Sequence, residues 1–251
     1  PASVVSFCFG LFKPHNNDNQ SSRQANRQND SCQLEGVPVS NISLRAYLQK
    51  IEQLVEDGRL SDAIKHAQYI LQQQPQNIDT YRLYGRALLE LREQNDASDL
   101  FQRVLSAEPN DFISHIGLSE IYRDQGLTGQ AIWHLERAYE MDPYNGAIQK
   151  ELKSLYRERD NITPNLVPLT DAALARLHHK GNMYQQAVTE LRLILQEDPS
   201  RIDLEALLAE ALWRDNQRVQ AVDVCLSLLE RLPNCITVNG ILAEIWLLTG
   251  R

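Results

Sequence analysis

Few residues in this chain have the type and spacing that chemistry needs. His178 and His179 are adjacent and could be metal ligands, but neighbours on a helix point about 100° apart and no third ligand is spaced to join them, so a structural or solvated pair is expected. Cys225 stands where apolar residues stand elsewhere in the chain, as a core thiol would. The stretch Gly117-Leu118-Ser119-Glu120-Ile121 lacks the second glycine of a strained nucleophile elbow. Glu197-Asp198 precedes a proline, where exposed charge is the ordinary outcome. With no phosphate-cradling glycine loop and no zinc helix motif, the expectation is a protein that is not an enzyme and carries no metal or cofactor.

Composition narrows the remaining classes. The 251 residues are 43% hydrophobic and 23% charged, as in soluble folded proteins, and 25 Lys plus Arg against 33 Asp plus Glu give a net charge of −8. That sign repels a phosphate backbone, so nucleic acid is not expected as a partner. No apolar run reaches the eighteen or so residues that cross a bilayer. The longest candidate, residues 2–12, includes Val4, Val5, Phe7, Phe9, Leu11 and Phe12; it offers the only expected membrane contact, with docking onto protein preferred. It also lacks the basic start and small-residue cleavage site of a secretory signal. Cys8, Cys32, Cys225 and Cys235 form no C-x-x-C pair, so a reducing cytoplasm is the default.

The elements that position these residues follow from a clock in the sequence. Pro75, Pro109 and Pro143 are each 34 apart, as are Pro199 and Pro233; Ala63, Ala97 and Ala131, then Ala187 and Ala221, keep the same interval. Apolar residues recur at helical spacing throughout, so each 34-residue unit is expected to be two antiparallel helices that bury their shared face only by stacking on neighbours. The alanines let paired helices approach closely and the prolines end the second helix. Gly58, Gly126 and Gly181 are expected to supply the left-handed residue that ends the first helix.

In these residues the chain resembles the tetratricopeptide repeat (TPR) family, over about residues 44–251. The frame from Ile78 is the nearest match, with Tyr81, Tyr84-Gly85, Leu88, Ala97, Phe101, Val104 and Pro109. The frame from Phe112 carries Leu118, Tyr122, Gly126, Ala131, Leu135, Ala138 and Pro143. The frame from Leu44 departs at Lys50 and Ile51, and the frame from Ile202 at Glu205. The implied fold is an all-α TPR-type α-solenoid of antiparallel helix pairs in two arrays, with a low-complexity N-terminal tail. Residues 1–43 form the apolar segment and an Asn/Gln/Ser-rich linker. Residues 44–159 hold three units and a capping helix from Gly146, residues 160–167 a loop forced by Pro164 and Pro168, and residues 168–251 a second array whose last unit is incomplete.

The resemblance also implies a function carried by surface rather than by catalysis. First helices of successive TPR units line a concave groove, and the groove places include Arg82, Arg86, Glu120, Arg123, Lys150, Arg157 and Arg176. Six cations against one acid, in a chain of net charge −8, suggest a site for a peptide that is acidic or has a free C-terminus. The competing expectation is that these arginines pair with Asp79, Glu90, Asp124, Glu151 and Glu158 as ordinary salt bridges. A non-catalytic adaptor or assembly scaffold is therefore expected, the alternative being a regulatory or substrate-recruiting region of a larger enzyme or secretion component. The last helix presents Ile241, Ile245, Trp246 and Leu248 as an end interface, through which a homodimer could form or further chain could dock.

Overall fold

The computed structural model describes residues 43–161 and 164–250. The expectations for residues 1–42, including Cys8, Cys32 and the apolar segment 2–12, lie outside the described residues. Among the described residues there are twelve helices and no strand. They run α1 (Leu44–Glu56), α2 (Leu60–Gln73), α3 (Ile78–Glu90), α4 (Gln94–Ala107), α5 (Phe112–Asp124), α6 (Thr128–Met141), α7 (Gly146–Asp160), α8 (Asp171–Lys180), α9 (Tyr184–Glu197), α10 (Ile202–Arg214), α11 (Arg218–Arg231) and α12 (Ile236–Thr249). Successive helices pack as pairs, and the pairs stack into an all-α solenoid.

The helix ends explain the 34-residue clock. First helices of the leading units begin at a side-chain cap: Ser43 accepts from the Ala46 amide, Asn77 from Thr80, Asp111 from Ser114 and Asn145 from Ile148. The proline two residues before each of Asn77, Asp111 and Asn145 stops the preceding helix, but the next helix starts only after this cap. Second helices have no side-chain cap. Their entry is set instead by one left-handed residue per turn and by the amide that follows it, which reaches back across the end of the first helix. Those bonds run Arg59 to Leu54, Glu93 to Leu88, Leu127 to Tyr122, Met183 to His178 and Gln217 to Leu212, all at 2.8–3.0 Å.

The left-handed residues are Gly58, Arg92, Gly126, Asn182 and Asn216. This corrects the expectation for Gly181, whose φ of −80° is ordinary; the left-handed place is one residue later, at Asn182 (φ 60°). Asparagine tolerates that region, so its presence hid the register. Arg92 (φ 65°) is a costlier occupant.

The clock alanines are all buried at helix-pair contacts. One close approach occurs where Phe101 of α4 lies between Gly85 of α3 and Gly117 of α5. A Cβ added there would come within 2.8 Å and 2.4 Å of its ring, so neither helix could pass so near with any larger residue.

The break between arrays places the second array against α6. Helix α7 packs on one flank of α6 through Ile148, Leu152 and Leu155, with Tyr156 partly buried. The segment 164–170 then returns over the same cluster. Val167 enters it, the Tyr139 hydroxyl lies 3.3 Å from the carbonyl oxygens of Val167 and Pro168, and Lys153 donates to the Asn165 carbonyl. Thr170 caps α8, which packs on α6 as well, and Lys180 reaches the Met141 carbonyl at 2.6 Å.

Candidate functional site

The expected row of groove cations separates into different environments. Arg82 is held by Asp79 at 2.5 Å, Asp111 at 2.6 Å and Glu108 at 2.7 Å, linking α3 to the turn before α5. Arg86 is buried, with Glu52 of α1 at 3.7 Å. Arg123 donates to Glu151 and Glu158 of α7. Lys150 and Arg157 are exposed on α7. Several expected salt-bridge acids thus take up the guanidinium donors that an acidic peptide would need.

Arg176 departs furthest from its expected place. It is 5% exposed and sits between the arrays, donating to Asp203 at 2.6 Å and to Asn110 at 2.8 Å. Arg201 donates to both Asp203 and Glu140, and Arg137 lies beside Glu140, so five charged side chains are buried together. Burial alone would raise the Asp203 carboxyl, but hydrogen bonds from Arg201 and the charges of Arg176, Arg201 and Arg137 outweigh it and hold it at about 2. In Glu140 burial prevails and the carboxyl is raised. The network joins α6, α8, α10 and the turn at Asn110. The repeat register projected Arg176 into the groove because it carried the groove face of the first array across the break into the second.

A concavity with both polar and apolar walls lies on the face shared by α5, α6 and α7, and its volume is about 150 Å³. Ile116 and Leu135 form apolar wall; Ser119, Glu120, Arg123, Asp124 and Glu151 add polar groups, and Arg92 reaches in from the α3–α4 turn. Ser119 is fixed by donating to the Ala131 carbonyl at 2.8 Å. Arg92 donates to Asp124 at 2.7 Å, and Gln94 donates to the same carboxylate at 2.8 Å. Glu120 is held at about 7, chiefly because burial disfavours its charge; Asp124 and Glu151 push the same way, and Arg92 and Arg123 oppose them. Glu120, Arg123 and the groove place Ile116 were legible in the repeat frame. Arg92, Asp124 and Glu151 were not picked out as lining, although an arginine at the turn place held elsewhere by glycine or asparagine is a signal the sequence contains.

The remaining candidates resolve into structure. His178 pairs with Glu190 at 2.8 Å while His179 faces Glu210 at 3.9 Å, so the two rings have different partners. Cys225 and Cys235 are buried free thiols; burial, with Cys235 nearby, pushes Cys225 up to about 12. A buried pair missed in the sequence joins His115 and His134, Nδ1 to Nδ1 at 3.0 Å. The other nitrogen of His115 donates to the Pro109 carbonyl, and burial lowers the two rings to about 4 and about 3. Among the described residues no three His, Cys, Asp or Glu are grouped to hold a metal ion, and no helix is long and apolar enough to cross a membrane. In α12, Ile241 and Ile245 face inward into the core with Val238 and Leu242, contrary to their expected place on the end surface; Trp246, Leu247 and Leu248 are exposed. The helical period turns the first pair toward α10 and α11.

Residues 54–118 match the family described as tetratricopeptide repeat. The same helix pair, left-handed turn residue and buried alanine recur beyond that match through Ala221. Within residues 54–118, therefore, the chain carries tetratricopeptide repeat sequence. Similar solved structures include Naa15/Naa10 bound to HypK-THB (18% identity, 75% of this chain and 25% of that one, TM-score 0.41). Others are YrrB, described as a TPR protein with an unusual peptide-binding site (13%, 78% and 89%, 0.42), and TTC0263, described as a thermophilic TPR protein in Thermus thermophilus (19%, 81% and 98%, 0.40). The chain thus spans about a quarter of the Naa15/Naa10 chain it resembles. No curated protein sequence matches it significantly.

Proposed function

We propose that this protein is a binding scaffold whose concave face, at α5 to α7, receives an extended segment of a partner protein. The observation that carries the proposal is the 150 Å³ concavity built by side chains of three consecutive helices, with an ionisable group inside it and rigid elements around it. Stacked helix pairs hold such a surface without rearrangement, which lowers the ordering cost of binding. An acidic segment is the weaker fit, because Arg82, Arg123 and Arg176 already hold carboxylates of the chain itself.

Peptide display against the full chain tests this. A photo-crosslinking residue at Arg157, exposed on α7, the helix that lines the concavity through Glu151, should capture selected peptides, whereas the same residue at exposed Leu193 of α9 should not. Capture at Leu193 alone would place binding elsewhere and overturn the proposal.

A further inference from the structure

We propose that the cavity beside Glu120 is a subsite for one cationic side chain, a lysine or arginine of the bound segment, with Glu120 as its counter-ion. This rests on the concave-face reading above and adds the chemistry of the occupant. The charges around the cavity point to it. Arg123 is engaged by Glu151 and Glu158, and Arg92 by Asp124. Each lining cation therefore has its own carboxylate, and Glu120 is the acid left over. With Glu120 ionised, the two lining arginines against Glu120, Asp124 and Glu151 leave an excess of one negative charge, which a single monocation neutralises. An anion entering the same space would add to that excess.

The walls fit the occupant in shape. Ile116 and Leu135 give the apolar lining that a methylene stem needs, and Glu120 meets the charged head. At about 150 Å³ the space well exceeds the roughly 10–15 Å³ that a single water needs.

The Arg92 backbone adds a separate observation. Of the five equivalent turns, four use glycine or asparagine at the left-handed residue, and only the turn beside this cavity uses a residue that strains there. The strained position sends the Arg92 guanidinium to Asp124, which leaves Glu120 as the unmatched acid.

In the empty pocket a proton shared with solvent reduces the cost of the buried charge. An entering cation displaces that proton, so binding strengthens as pH rises through the Glu120 midpoint. The groups that face this titration are Arg92 from the α3–α4 turn, Arg123 and Asp124 on α5, and Glu151 on α7.

The test uses the full chain labelled with ¹³C at glutamate carboxyls, titrated with the tripeptide amides Ac-Ala-Lys-Ala-NH2, its norleucine analogue and its glutamate analogue. The Glu120 resonance should titrate near pH 7 in the free protein. Saturating lysine tripeptide should lower that midpoint by at least about one pH unit, at least about tenfold in proton affinity. At pH 8 the lysine peptide should bind at least about tenfold tighter than norleucine, and Glu120→Gln should erase the difference. Equal binding of lysine and norleucine, preference for the glutamate peptide, or unchanged lysine preference in Glu120→Gln would each overturn the subsite. Peptides from display that crosslink at Arg157 yet ignore Glu120→Gln would overturn the subsite alone and leave the concave-face scaffold standing.

Discussion

Arg123 and Arg176 occupy comparable groove places in their repeat frames, yet they do different work. Arg123 lies at the wall of an open cavity, partly exposed, with two carboxylates of α7. Arg176 is sealed between two arrays with Asp203 and Asn110. A repeat register assigns a face only while the stack continues. Where α7 caps α6 on one flank and α8 docks on α6 as well, the nominal groove face becomes an interface, and its charges must be satisfied internally.

The largest expected effect breaks the sealed side. Asp203→Ala leaves two buried guanidiniums without their shared acceptor and should cost about 3–5 kcal/mol in urea unfolding. A loss under about 1 kcal/mol would show that the junction is held by apolar contact alone. Arg123→Ala, the matching change on the open side, should cost no more than about 1 kcal/mol because its pairs remain partly solvated. Equal losses for the two variants would erase the contrast.

Acidity separates the two regions by sign. Asp203 is depressed to about 2 in the folded state, so its contribution is fully present above the ordinary carboxylate pKa and is lost as pH falls from about 4 toward 2. Thermal melts should show a loss of roughly 2 kcal/mol across that window, and Asp203→Asn should flatten it. Glu120 is raised to about 7, so its protonated form favours the fold below about pH 4.5 and that advantage is lost as pH rises to 7. Glu120→Gln should therefore stabilise the chain by about 1–3 kcal/mol at pH 8 and hardly at all at pH 4. The reverse pattern would mean that Glu120 is ionised and well paired in the folded state.

The smallest effect concerns backbone strain at the cavity. Arg92→Gly relieves a left-handed arginine worth about 1–2 kcal/mol while removing an exposed pair worth under about 1 kcal/mol. Chemical denaturation should find the variant unchanged to about 1 kcal/mol more stable. A clear loss would show that the Arg92–Asp124 contact outweighs the strain.

Much of the fold was legible because its signals are local. A proline that stops a helix, an alanine at a close contact and an apolar stripe at helical spacing act within one or two turns of chain, and repetition at 34 residues multiplied each signal. Part of the site was legible for the same reason: Glu120 and Arg123 lie three residues apart on one helix and line the same cavity. What escaped depends on residues far apart in sequence. Arg176 meets Asn110 across the array break, and Glu151 meets Arg123 from the next helix. The Gly181 register slipped by one because asparagine can also adopt the left-handed region. Ile241 and Ile245 were assigned to an open end because the inward turn of α12 against α10 and α11 was not visible in its composition.

The sequence by itself determined that this chain is a stack of paired helices, because each unit's stop, close contact and apolar face are written within 34 residues. Only the tertiary structure decided which charges are paired in the interior and which line an open cavity. That division depends on where the second array docks on α6, and docking is set by burial and pairing between segments with no shared local code.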